Sequence, residues 1–177
     1  MTADEFLAWA IRTGFRGELV DGEVYAMAPE RYALARVKHR AARALEDAAH
    51  RAGLPCEVLP DGMSIVVEDG VVYEPDALLR CGPSLPPDTT RIEDAIILVE
   101  VLSPSSASID TSAKLLGYFR LPSVRHYLVL DPRERLAIHH ARGEGGAIAT
   151  RILGEGPLTL DPPGLTLEVA ALFPPPA

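Results

Sequence analysis

Ile96-Ile97-Leu98-Val99-Glu100-Val101-Leu102 is a nearly continuous apolar run with one charge inside it. A strand with one wet face would alternate apolar and polar side chains, so a run of this kind reads as a central β-strand covered on both faces. Ser103-Pro104-Ser105 breaks it. An ionised carboxylate costs several kcal/mol to bury unless it is paired, hydrogen-bonded or bound to a cation, so Glu100 needs a partner. Either it caps the strand end by accepting N–H groups from the following loop, or it belongs to a site. The strand period of two puts Glu100 and Leu102 on one face and Val101 on the other.

The segments on either side repeat the theme. Upstream, Val71, Val72 and Tyr73 lead through Glu74-Pro75-Asp76 into Ala77, Leu78 and Leu79, which reads as a second apolar strand over 71–79 with Asp76 inside it. Asp76 alone, following a proline, is more often a turn residue than a functional one. Two carboxylates on neighbouring buried strands repel each other, and a hard divalent cation offsets that repulsion. Downstream, residues 109–121 have helical spacing and end before Pro122. Asp110, Lys114 and Tyr118 lie at i, i+4 and i+8 on one face of that helix. Lys114 either pairs with Asp110 or reaches back over Glu100. Lys38 and Lys114 are the only lysines among seventeen basic residues, so a chain that otherwise uses arginine keeps a compact, tunable ammonium at 114.

The remaining pattern frames this centre. Residues 2–13 predict a short helix with Asp4 as its cap, and 18–27 a hairpin turning at Asp21-Gly22. A long helix running to about residue 52 has Leu34, Val37, Ala41, Leu45 and Ala48 on one stripe and Gly53 at its stop. Short strands are predicted over 57–59 and 63–68, a proline-rich loop over 83–87, and a buried strand over 126–131. A meander follows (135–141, a glycine turn over 143–146, and 149–153), and a proline-rich tail ends the fold. His139 and His140 are adjacent on a strand, face opposite sides and cannot chelate one ion together. GxSxG, P-loop and GxGxxG motifs are absent, which argues against a serine hydrolase or a nucleotide-binding domain.

A chain of 177 residues with 47% hydrophobic content predicts one α/β domain over 1–177. The opening residues hold Asp4, Glu5 and Trp9 with no basic leader. No apolar run approaches the roughly 18 residues that span a bilayer, so the expected location is the cytoplasm, away from membranes. Cys56 and Cys81 lack CxxC spacing and are expected as two buried, reduced thiols. The net charge of -8 repels a polyanion, so any nucleic-acid contact has to be local. The long helix offers one patch, with Arg31, Arg36, Lys38, Arg40, Arg43 and Arg51 set against Glu30, Glu46 and Asp47. The same run also reads as a solvated helix face.

Taken together, Glu18-Leu19-Val20-Asp21-Gly22-Glu23, Glu74-Pro75-Asp76, Val99-Glu100-Val101-Leu102-Ser103-Pro104-Ser105, the helix from Asp110 to Tyr118 and the segment from His126 to Pro132 resemble the Uma-two family of endonucleases. The resemblance extends over most of the chain, from Glu18 to Phe173. It implies a restriction-endonuclease-like PD-(D/E)XK fold, a mixed central sheet flanked by helices, and often a homodimer. It also implies an Mg2+- or Mn2+-dependent endonuclease acting on DNA phosphodiesters. Asp76 and Glu100 would be metal ligands, with the Val101 main-chain carbonyl as a third, and Lys114 would position or activate the attacking water. Glu18 would complete the site from the early hairpin. With DNA as the partner, the basic Arg31 to Arg51 helix read above from its charge is the expected place of contact. Leu102 stands where the parent motif has a basic residue, so the role passes to Lys114. The family's helix histidine has no counterpart at His39, which reads as a surface residue. The alternative on the same fold is a catalytically silent nucleic-acid-binding or regulatory module.

Overall fold

The computed structural model describes residues 1–103 and 111–175. The chain opens with α1 (Ala3–Thr13), the hairpin β1 (Gly17–Val20) and β2 (Glu23–Ala26), and the long α2 (Tyr32–Arg51). Then come β3 (Cys56–Pro60), β4 (Ile65–Glu68), β5 (Val71–Tyr73), β6 (Ala77–Cys81) and β7 (Ala95–Val101). α3 (Thr111–Tyr118), β8 (His126–Asp131), β9 (Leu136–Arg142), β10 (Ile148–Leu153), β11 (Pro157–Leu160) and β12 (Leu165–Glu168) complete it. Asp110, predicted as the start of the third helix's charged face, lies outside the described residues.

The central sheet has the order β10-β9-β8-β7-β6-β3. β7 and β8 are parallel and the other neighbours antiparallel, so the sheet is mixed, as expected. A parallel pair needs a crossover connection, and α3 lies within it. The period of two along β7 sorts its side chains between two cores. Ile97, Val99 and Val101 join Ala77, Leu79, Leu128 and Leu130 on one face, and α2 covers them with Val37, Ala41, Leu45 and Ala48. Leu98 joins Leu78, Tyr127 and Val129 on the other face, beneath Tyr118 of α3 and Ile65 and Tyr73 of a second sheet. That second sheet has the order β2-β1-β5-β4 and carries α1 on its far side, where Phe6 and Leu7 bury Leu19 and Val72.

Four expectations change. The predicted strand over 71–79 is two strands in two sheets. Pro75 has no N–H to give a ladder, and the Asp76 N–H turns instead to the Val99 carbonyl at 2.9 Å, so the chain leaves one sheet at Tyr73 and enters the other at Ala77. Helix α1 is capped by Thr2, not Asp4: the Thr2 hydroxyl accepts from Glu5 N while Glu5 reaches back to Thr2 N, a reciprocal capping box. Thr2→Ala is expected to cost about 1 kcal/mol, read as a lowered urea midpoint at unchanged slope.

The proline-rich tail is a structural element. β11 and β12 form a hairpin whose Leu158, Leu160, Leu165 and Leu167 are buried in the same core as the α2 stripe. Cys56 and Cys81 are half-buried and joined in a disulfide rather than free. They face each other directly in the β3–β6 register, a proximity that their separation along the chain does not disclose. No helix among the described residues is long and apolar enough to cross a membrane.

Candidate active site

The break between the two sheets opens a cleft of about 650 Å³ between β1, the start of β6, the end of β7, α2 and α3. Among the described residues, six carboxylates line it (Glu18, Glu30, Asp61, Glu74, Asp76 and Glu100), against four cations (Arg16, Arg31, Lys38 and Lys114). With each of these ionised, the described lining is two negative charges in excess.

Asp76 stands at the crossing point between the sheets. Its Oδ2 accepts a 2.6 Å hydrogen bond from Val101 N, and its Oδ1 lies 2.7 Å from Lys38 Nζ. Burial, reinforced by the Glu100 charge, pushes its carboxyl up to about 6 despite Lys38 and the Val101 N–H. Glu100 projects from the penultimate position of β7. Its Oε1 accepts from Lys114 Nζ at 2.8 Å and from the Tyr118 hydroxyl at 2.9 Å. Burial raises the Glu100 carboxyl too, with Lys114 opposing and the Glu18 charge adding to the rise. The Glu100 charge thus disfavours that of Asp76, and the Glu18 charge that of Glu100, in the way that an adjacent cation would relieve.

Lys114 bridges the sheets. Its Nζ lies 2.8 Å from both Glu100 Oε1 on β7 and Glu18 Oε1 on β1. Burial works against its charge, but these two carboxylates outweigh it and hold the ammonium above its ordinary range. Helix α3 can come this near because Gly117 lacks a side chain: a Cβ there would sit 3.0 Å from Tyr73 Cε2. Glu18 Oε1 also accepts from Glu74 N at 2.8 Å, so Glu18 orders both the lysine and the chain break.

Sequence reasoning missed the other half of the lining. Glu74 is buried, with Arg16 Nε 2.7 Å from its Oε1, and Arg16 Nη2 reaches Asp61 at 2.9 Å. Lys38, read as one of the residues on a basic helix face, turns inward. Its ammonium touches Glu30, lies 2.7 Å from Asp76 and lies 3.7 Å from Asp61. The available signal was lysine usage, because the cleft holds both lysines of the chain. Of the other basic residues, Arg31 at the N-cap of α2 lines the cleft, Arg36 lies over the Tyr32 ring and Arg43 pairs with Asp47 on the surface. His39 is exposed. His139 is buried while His140 faces the other side against Tyr127, in keeping with the strand alternation.

The donor set suits a hard divalent ion. Among the described residues, no three His, Cys, Asp or Glu side chains form a ready metal group. A cation would rest on the Asp76 and Glu100 carboxylates, the Val101 carbonyl and water. Such an oxygen set with retained waters matches magnesium or manganese better than zinc, and the negative excess among the described lining residues favours a cation.

The fold and the cleft define the class: a mixed α/β protein whose central strands deliver paired acids and whose crossover helix delivers a lysine to them. The chain matches the Uma2 family, described as "Putative restriction endonuclease", over residues 3–172, and belongs to that family. It is 25% identical over 175 residues, 98% of this chain and 91% of the other, to "Uncharacterized protein slr1290" of Synechocystis sp. (strain ATCC 27184 / PCC 6803 / Kazusa). Its fold is similar to a crystal structure of "a putative nuclease belonging to DUF820" from Anabaena variabilis ATCC 29413, with a TM-score of 0.71 and 12% identity over 98% of this chain and 97% of that one.

Proposed function

We propose that this chain is a divalent-metal-dependent endonuclease of the PD-(D/E)XK type that hydrolyses DNA phosphodiester bonds as one cytoplasmic domain, 1–177, paired in a homodimer. The observation that carries the reading is the convergence of Asp76, Glu100 and Lys114 in one cleft, with Lys114 Nζ 2.8 Å from Glu100 Oε1. Asp76, Glu100 and the Val101 carbonyl would hold Mg2+ or Mn2+. When bound, such an ion polarises a phosphoryl oxygen and lowers the pKa of its water.

The chain's own residues supply the rest. The Lys114 ammonium, held charged by Glu18 and Glu100, donates hydrogen bonds toward an attacking water and toward charge building on the phosphate. Glu18 holds that ammonium on the cleft side of α3. The Val101 N–H fixes one Asp76 oxygen and thereby orients the other into the cleft. Arg31, at the mouth, meets the DNA backbone together with the exposed arginines of α2, and the excess negative charge elsewhere restricts contact to this rim.

The test pairs metal titration with cleavage. Calorimetry with Mg2+ and Mn2+ on wild type, Asp76→Ala and Glu100→Ala is run beside plasmid nicking by the same samples. Binding and nicking that both disappear in the two variants are the expected result. Binding without nicking in the wild type would favour the silent binding module, and no binding at millimolar metal would sink the metal-site reading.

A further inference from the structure

Lys38 sits where a metal ligand's free oxygen should be open. On Asp76, the Val101 N–H occupies Oδ2 at 2.6 Å and is fixed by the strand. The oxygen that the strand does not hold is Oδ1, and Lys38 Nζ lies on it at 2.7 Å. A divalent ion on Oδ1 at about 2.1 Å would stand close to the ammonium on the same oxygen, and the two positive charges repel. Binding at Asp76 is therefore favoured when Lys38 moves away.

The surroundings of Lys38 allow it to move. Its stem rises from a helix position only partly covered, with 19% of the side chain exposed, next to the buried Val37. Its ammonium also touches Glu30 and lies 3.7 Å from Asp61, two carboxylates at the mouth of the cleft. Neither belongs to the metal set, so both remain to hold the ammonium after it leaves Asp76.

We propose that Lys38 is a built-in counter-cation for Asp76: it occupies the metal position of Oδ1 in the metal-free protein and hands that oxygen to a divalent ion, moving to Glu30 and Asp61. This rests on the metal reading of the cleft. In the resting protein the lysine offsets the repulsion between Asp76 and Glu100. It also raises the metal concentration at which the cleft fills, and the shifted ammonium then stands at the mouth as a second cation facing an incoming phosphate.

The chain has two lysines, which makes the test direct. Full-length protein labelled with 15N and 13C at lysine gives two side-chain ammonium signals, assigned with Lys38→Arg, and is titrated with MgCl2 while calorimetry follows binding. The expected result is that the Lys38 signal changes from a protected, hydrogen-bonded ammonium to a faster-exchanging one in step with metal saturation. Lys38→Met is expected to bind Mg2+ roughly tenfold tighter, and to melt at a lower temperature than wild type in EDTA.

A Lys38 signal that stays put while the wild type saturates at a site abolished by Asp76→Ala overturns this inference and leaves the metal reading standing. Saturation by neither wild type nor Lys38→Met overturns both. Saturation by Lys38→Met alone supports the inference in its strongest form. The labelled wild type gives its answer even if Lys38→Met fails to fold.

Discussion

Lys114→Met is expected to nick plasmid at least about a hundredfold more slowly than wild type while still binding Mg2+ at least as tightly. Methionine keeps the length and apolar stem of the lysine but removes the ammonium that lies 2.8 Å from Glu100 and Glu18. The carboxylates and the Val101 carbonyl stay in place, and a competing positive charge is gone, so binding and cleavage separate. Nicking at the wild-type rate would remove Lys114 from the chemistry. Loss of metal binding together with cleavage would mean that the lysine organises the acids rather than acting on the phosphate.

The same substitution has a pH signature in metal-free buffer. Without the ammonium, Glu100 and Glu18 face each other across the cleft, and among the described residues the Tyr118 hydroxyl still donates to Glu100. Breaking a charged, largely buried pair from one side is expected to cost about 2–4 kcal/mol at neutral pH. The Glu100 carboxyl is already raised by burial, and loss of Lys114, which lowers it, raises it further. A raised folded-state pKa favours the fold while the group is protonated. The deficit of Lys114→Met relative to wild type should therefore close below the ordinary glutamate value of 4.5 and widen as pH rises through the folded value. Urea titrations of both proteins from pH 4 to 8 read this difference directly, and a deficit independent of pH would mean that packing rather than charge causes it.

The legible parts of this protein were those written as periodicity. β7, β8 and the buried stripe of α2 follow from apolar runs, because burial on one face or two faces selects residues at fixed intervals. Glu100 stood out because it interrupts such a run. The direction of Lys38 did not stand out, since an apolar stripe sets which face of α2 meets the sheet but not which flanking basic residue bends inward to a carboxylate. The division of 71–79 between two sheets was marked by Pro75 alone, and one proline reads equally as an edge position. In the tail, Leu158-Thr159-Leu160 and Leu165-Thr166-Leu167 carried a strand alternation that the prolines around them obscured. The Cys56–Cys81 pairing and the Arg16–Asp61–Glu74 cluster depend on register and loop placement, which no local pattern encodes.

Acid is expected to weaken the fold through a histidine pair that the proposed chemistry does not use. His126 on β8 and His139 on β9 are both buried, with His126 Nδ1 2.9 Å from His139 Nε2. The Pro162 carbonyl, 2.9 Å from His126 Nε2, can only accept, so that nitrogen carries a proton. Arg151 Nη2, 3.2 Å from His139 Nδ1, can only donate, so that nitrogen is bare. The two ends agree on one chain of donors running from Arg151 through His139 and His126 to Pro162, with both rings neutral. Protonating His139 sets an imidazolium against the Arg151 guanidinium, and protonating His126 at Nδ1 sets N–H against N–H. Burial, with the His126 and Arg151 charges, accordingly lowers His139 from 6.5 to about 4, and burial lowers His126 as well. A lowered histidine contributes stability that is complete above the unfolded value near 6.5 and is lost as pH falls through the folded value, since the unfolded chain binds the proton first. For His139 the loss is on the order of 3 kcal/mol between pH 6.5 and 4. Because carboxylates titrate in the same window, the readout is a difference: His139→Gln should be less stable than wild type at pH 7 and lose less on acidification, so that the two urea midpoints converge toward pH 4. Parallel curves would show that the pair stays neutral for reasons other than this donor chain.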